Sequence, residues 1–209
     1  CVQLKSGDGS VGRELREKYA LKVLHAKAAE VFNNKPKEIE AFLVEHELLP
    51  AEHTREDLAR QVRRINGLHK RRLGEWLAKP GNEDIAKAFL ADLDFRGRRI
   101  DDAMRLMLAS FRLPGESQEI NRLMEAFAPV LYEQCKAEPA TRDIFASVDS
   151  VYIMAYSVIM LNTDQHNPQY KGRRMTEDDF IRNNRGNNEG KDYDRDFLRS
   201  VYHAIKSNE

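Results

Sequence analysis

Thiols are nearly missing from this chain: of 209 residues only Cys1 and Cys135 are cysteine. That excludes a disulfide framework and a zinc-ligand spacing, and a reducing, cytosolic compartment fits best. An excess of either charge is missing too. Lysine plus arginine number 34 and aspartate plus glutamate number 34, and the pI is about 7.2, so the basic surplus of a nucleic-acid binder is lacking. Long apolar runs are absent. The longest, Val151 to Leu161, falls far short of the roughly 20 residues that span a bilayer, and no signal-peptide pattern opens the chain. No segment sustains the alternation, β-branched enrichment and tight Asn-Gly or Asp-Gly turns of a sheet. What is present is a charged fraction of 33%, a hydrophobic fraction of 41% and a mean hydropathy of −0.66, the balance of amphipathic helices with charged outer faces. The fold class expected is all-α.

Along the chain, residues 1–12 are small and polar and read as a disordered lead-in. From Arg13 the period turns helical, with Leu15, Tyr19, Val23 and Ala26 on one apolar face. A short helix with Ile39, Phe42 and Leu43 ends near Pro50. Thr54 with Asp57 has the form of a cap ahead of Leu58, Val62 and Ile65, because short side-chain oxygens satisfy the first free backbone N–H groups. Further helices are expected over Arg71 to Leu77, after Asn82, and over about Asp101 to Phe111, so the first half is a run of short antiparallel helices able to stack. Leu113-Pro114-Gly115 then interrupts the pattern, since proline lacks an N–H and glycine frees the backbone. Glu116 is therefore placed at the entry to a helix carrying Ile120, Leu123, Met124, Phe127 and Leu131. Val151 to Leu161 is apolar nearly all round, as in a helix buried on every side, the central strut of this half. Thr176 with Asp179 repeats the capping pattern before Phe180 and Ile181, and a last helix packs through Phe197, Leu198, Val201, Tyr202 and Ile205.

Taken alone, the candidate functional residues also have ordinary readings. A carboxylate such as Glu116 in a first helical turn gains roughly 0.3–1 kcal/mol from the helix dipole. Asp164, His166 and Asn167 match neither a zinc motif nor a calcium loop and read as loop and cap residues. Tyr152, Ile159 and Met160 are core-like, although so apolar a helix ending at a polar loop leaves a face to line a groove. Arg173, Arg174, Arg182 and Arg185 form a basic stretch whose usual meaning is a solvated face.

Two stretches carry a family resemblance: Phe111-Arg112-Leu113-Pro114-Gly115-Glu116-Ser117-Gln118, and Ala155 to Asn167, which reads AYSVIMLNTDQHN. They resemble the two signature motifs of the Sec seven domain, the catalytic domain of guanine-nucleotide exchange factors for Arf-family small GTPases. MTEDDFIRNNRGNNEG from Met175 to Gly190 extends the likeness, which covers about Arg13 to Glu209 and is nearest in wording to the large Golgi-type members.

The resemblance implies about ten helices, an N-terminal right-handed helical stack (13–110) and a C-terminal cap (111–209) with a hydrophobic groove between them. It implies exchange of GDP for GTP on the GTPase, with no bond chemistry, no cofactor and no metal of the chain's own; the GDP and magnesium acted on belong to the GTPase. Glu116 matches the catalytic glutamate. Tyr152, Ile159, Met160 and Asn167 match the groove that receives the GTPase switch regions, and Tyr156, Ser157, Asp164 and Met175 match the combination associated with brefeldin A binding. Asn121 stands where many members carry aspartate, and Glu119 where a basic residue is common. The implied setting is cytoplasmic, peripheral on Golgi membranes and in vesicle trafficking, with membrane association through the GTPase or through other regions of a longer protein. Such a protein is expected from the polar opening and the abrupt end after a helix. The alternative is a non-catalytic α-helical scaffold, which would need no carboxylate after Leu-Pro-Gly. A hydrolase built on Glu116 and His166 lacks a nucleophile motif or metal set.

Overall fold

The computed structural model describes residues 8–208, with side chains from residue 12 onward. Ten α-helices and no strand occur among the described residues: α1 (Asp8–Asn34), α2 (Ile39–Glu45), α3 (Arg55–Arg64), α4 (Lys70–Leu77), α5 (Glu83–Ala91), α6 (Ile100–Ser110), α7 (Ser117–Ala137), α8 (Val148–His166), α9 (Glu177–Asn183) and α10 (Arg195–Ser207). A 3-10 turn, Pro36–Glu38, joins α1 to α2.

Local chemistry sets most of the boundaries. Thr54 and Asp57 form a reciprocal capping box, each side chain meeting the other's backbone N–H, and Thr176 and Asp179 do the same at α9. Two orphan donors are satisfied at each entrance. Ser147 accepts from the Ser150 N–H at the start of α8 and Asp194 from the Phe197 N–H at the start of α10. Between α4 and α5, Pro80 is followed by Gly81 at φ 88°, a left-handed conformation that any Cβ would strain.

The apolar faces converge on one core. α5 lies between α3 and α7, and α7 in turn packs along α8, so the first half of the chain is joined to the second through α5 and α7. Phe95 and Phe127, both fully buried, meet edge-to-face with ring centroids 5.4 Å apart. α8 is enclosed by α6, α7 and α10 and buries Val151, Met154, Ala155, Val158 and Leu161.

Two expectations change, and one apolar face is left open. Residues 1–7 of the lead-in lie outside the described residues, but Asp8–Gly12 is helical, as the first turns of α1; once a helix is nucleated downstream, each added residue contributes one more backbone bond. The apolar face of α1 is left uncovered by the described residues: Leu15 is 62% and Tyr19 71% exposed, and Val23 is exposed as well. Among the described residues the helix meets the body through its second half, from Ala28, Ala29 and Phe32 onward. Finally, α8 is not buried on every side, because Ile153 and Met160 are exposed and Tyr152, Tyr156 and Ile159 only half-buried.

Candidate functional site

The site begins where α6 ends. Phe111 turns to extended backbone, φ −147°, and its fully buried ring meets Phe89 edge-to-face at 6.3 Å. The next residue pairs with a different helix: the Arg112 N–H donates to the Lys70 carbonyl of α4, 3.0 Å. Pro114 is buried, and having no N–H it leaves none unsatisfied there. Glu116 is then the N-cap of α7, at φ −93°, ψ 130°. Its carbonyl accepts from the Glu119 and Ile120 N–H groups, both at 3.0 Å. Its side chain makes no capping hydrogen bond and is exposed. The position that usually spends a short side chain on the helix here presents a longer carboxylate to solvent.

Two clefts flank α8. One, of about 660 Å³, lies between α6, the 111–113 stretch, α8 and α10, and its wall includes Met104, Leu108, Leu113, Ile159 and Thr163. Arg105 borders it, with its guanidinium held on the carbonyls of Ala204 and Asn208 and its buried Nε without a partner among the described residues. The other, of about 610 Å³, opens on the other side of α8 beside α9 and takes Tyr152, Tyr156, Ser157, Met160, Met175 and Phe180.

A polar network fixes this second cleft. The Tyr152 and Tyr156 rings sit edge-to-face at 5.1 Å, and both hydroxyls donate to Asn121 Oδ1 on α7, Tyr156 at 3.3 Å. Asn121 Nδ2 donates to Glu125 at 2.7 Å. Burial, then the proximity of Tyr152 and Glu125, pushes the Tyr156 hydroxyl up to about 12, so it stays a protonated donor beyond the range in which a free phenol ionises. Ser157 Oγ donates to Asn184 Oδ1 at 2.7 Å, and the buried Asn184 amide donates to the Phe180 carbonyl at 2.8 Å. Asp164 receives the Met175 N–H at 2.7 Å, while the Met175 carbonyl accepts from Gln165 and Tyr202. That ties the 167–176 loop to α8 and sets where the Met175 side chain enters the cleft.

The residues matched to the GTPase groove therefore do not line one cavity. Ile159 faces the first cleft, and Tyr152 and Met160 the second. Asn167 is the exposed C-cap of α8, its Oδ1 accepting the Gln169 N–H at 2.9 Å. Of the inhibitor-site candidates, Tyr156, Ser157 and Met175 line the second cleft, whereas Asp164 supports it through Met175. His166 bonds the Ile205 carbonyl at 2.6 Å, a packing role. The basic stretch is largely internal in use: Arg173 and Arg182 pair with Asp179, and Arg174 caps the carbonyls of Asp164 and Asn167 while lying 5.0 Å over the Tyr170 ring. Sequence reasoning missed Met104 and Leu108 of α6, whose helical spacing reads as ordinary core. It noted Asn121 without its tyrosine partners, which lie 31 and 35 positions away. Among the described residues no cluster of three or more His, Cys, Asp or Glu is placed to hold a metal ion.

This arrangement has relatives. The chain is 46% identical over 200 residues to the uncharacterized protein C211.03 of Schizosaccharomyces pombe, covering 95% of this chain and 13% of that one. It is 40% identical to brefeldin A-inhibited guanine nucleotide-exchange protein 2 of Arabidopsis thaliana, covering 98% of this chain and 11% of that one. It is also 40% identical to ARF guanine-nucleotide exchange factor 1 of Saccharomyces cerevisiae, covering 86% and 14%. The chain thus spans only a small part of the length of these curated relatives. Among solved structures, it superposes with a TM-score of 0.78 and 38% identity on a Sec7 domain in complex with ARF1-GDP and brefeldin A, covering 92% of this chain and 95% of that one. The Sec7p catalytic domain matches with a TM-score of 0.76 and 35% identity, covering 88% and 97%. The family model described as the Sec7 domain matches residues 22–209, and the chain belongs to that family.

Proposed function

We propose that this domain catalyses release of GDP and loading of GTP on an Arf-family small GTPase, with Glu116 as the group that dislodges the nucleotide. The observation that carries the reading is the uncommitted Glu116 carboxylate at the tip between α6 and α7, next to an apolar cleft that begins at Leu113. A nucleotide is held through its β-phosphate, a magnesium ion and a phosphate-loop lysine. A carboxylate brought into that site competes for the cations and repels the phosphate. Two like charges about 4 Å apart repel by roughly 4 kcal/mol at an effective dielectric near 20. At about 1.4 kcal/mol per tenfold in affinity, one glutamate weakens nucleotide binding by roughly a thousandfold. Ile159 in the first cleft and Tyr152 and Met160 at the second supply apolar adhesion for displaced switch segments, and Asn167 at the rim offers an amide to freed backbone.

The setting proposed is the cytoplasmic side of Golgi membranes, in vesicle trafficking, a reading that rests on the motif resemblance to the large Golgi-type members. No helix among the described residues is long and apolar enough to cross a membrane, so attachment is assigned to the GTPase or to other parts of a longer protein. Brefeldin A is proposed to enter the second cleft against Tyr156, Ser157 and Met175 once the GTPase closes it.

The test is release of a fluorescent GDP analogue from an N-terminally truncated Arf-family GTPase. The wild-type domain should accelerate release, Glu116→Lys should not while keeping its helical spectrum, and saturating brefeldin A should suppress the wild-type rate. Equal rates from the wild type and Glu116→Lys would overturn the role of the carboxylate and favour a scaffold. Unchanged exchange at saturating inhibitor would overturn the brefeldin assignment alone.

A further inference from the structure

Helix α4 and the turn after it touch the polypeptide on both sides of Glu116. Upstream, the Lys70 carbonyl holds the Arg112 N–H at 3.0 Å. One turn further along α4, Gly74 lies so close to the same residue that a Cβ built there would come within 1.8 Å of the Arg112 carbonyl oxygen. No side-chain rotation relieves such a contact, because the backbone fixes the Cβ position and its partner is a backbone oxygen, so only glycine lets α4 approach. Downstream, the Ala78 carbonyl accepts from Arg122 Nε at 2.6 Å. Lys79 Nζ meets Glu119 Oε1 at 3.2 Å, with the Glu119 side chain largely buried and Lys79 mostly exposed. The contacts fall four residues before Glu116 and three and six residues after it. α4 is itself backed by the rest of the stack, Trp76 meeting Phe32 edge-to-face at 5.4 Å, and Asn82 ties the Trp76 carbonyl at 2.8 Å.

We infer that α4 with its following turn is a bracket that sets the reach and angle of Glu116, and that Gly74 and Lys79 are positioning residues for the exchange reaction. The inference rests on the reading of Glu116 given above. A carboxylate working by charge must already be aimed when the GTPase arrives, since movement at the moment of reaction forfeits the gain of a preorganised group. Lys79 is apart from the clefts that would engage the partner, so loosening it should alter turnover more than binding.

The deciding variants are Lys79→Glu, which sets two carboxylates against each other, and the charge swap Lys79→Glu with Glu119→Lys. Two readouts are taken on the whole domain: the dependence of GDP release on domain concentration, and amide hydrogen exchange over residues 111–120. Lys79→Glu should lower the maximal rate by about tenfold to a hundredfold, the range for a misplaced reacting group, with half-saturation unchanged. It should also speed amide exchange at Gly115, Glu116 and Ser117, and the swap should restore most of both. Gly74→Ala should repeat the signature wherever its helical spectrum matches wild type; if it fails to fold, the Lys79 pair alone decides. A Lys79→Glu domain equal to wild type in maximal rate and in loop amide exchange overturns the bracket while leaving the exchange reading intact. A wild-type domain that accelerates no GTPase overturns the exchange reading instead.

Discussion

Methionine on a surface is normally a residue in want of a reason, and Met160 is 63% exposed on a helix whose other long apolar side chains are partly or wholly covered. Because it packs so little in the free domain, Met160→Ala should leave the melting temperature nearly unchanged, within about 0.5 kcal/mol of stability. If it is buried against the GTPase, its loss should weaken engagement by roughly 2 kcal/mol, or about thirtyfold in the domain concentration giving half-maximal exchange. An unaltered concentration dependence would remove Met160 from the interface. Asn121 is the opposite case, a side chain whose capacity is spent within the fold. As a neutral acceptor it takes two tyrosine hydroxyls at one oxygen and adds no second negative charge beside Glu125.

Among the elements, α3 and α9 open on the same device, and it responds to acid. The Asp57 carboxyl is held below its ordinary value, chiefly by the Thr54 backbone N–H and then its hydroxyl. Asp179 is held well below it by the Thr176 hydroxyl first, then the Thr176 backbone N–H and Arg182. A depressed folded-state value means the unfolded chain binds the proton more readily. The contribution to stability is therefore fully present above the unfolded value, roughly pH 4, and is lost as pH falls through the lower folded values. The melting-temperature gap between wild type and Asp179→Asn should be constant from about pH 5 to 7 and shrink steadily below about pH 4; a gap that persists in acid would show that the cap acts through something other than the carboxylate.

These caps were legible in advance because Thr-x-x-Asp is a local code, read within one turn. What covers the face of α1 was not legible for the complementary reason: Leu15, Tyr19 and Val23 recur at the helical period, but periodicity says only that a face is apolar, not that anything covers it. The interior of α8 was half legible, since near-uniform apolarity marks Val151, Met154 and Val158 as core yet does not tell them from Met160. The carboxylate at the tip was legible as a helix entrance from Leu113-Pro114-Gly115. Its bracket was not, because Lys79 and Glu119 are 40 positions apart and nothing local to either residue names the other.

At the level of the whole molecule, the two halves share one core, and their optical probes separate. The single tryptophan, Trp76, lies in the first half, whereas six of the seven tyrosines lie beyond residue 130. Phe127 is fully buried where the halves join, in contact with Phe95. Phe127→Ala should cost about 3–5 kcal/mol, which for a domain of this size lowers the melting temperature by roughly 6–20 °C. Tryptophan emission and tyrosine near-ultraviolet dichroism should fall together. Separate transitions would mean that the halves unfold independently.

The exposed stretch of α1 also has a consequence for shape. A 27-residue helix is about 40 Å long, comparable with twice the roughly 17 Å radius of gyration of a compact chain of this length. Its residues from Arg13 to Val23 are all exposed. Small-angle scattering should accordingly give a pair-distance distribution with a low, extended tail beyond the main peak, its greatest dimension fixed by one helix. Rotational diffusion should be anisotropic about that helix's axis.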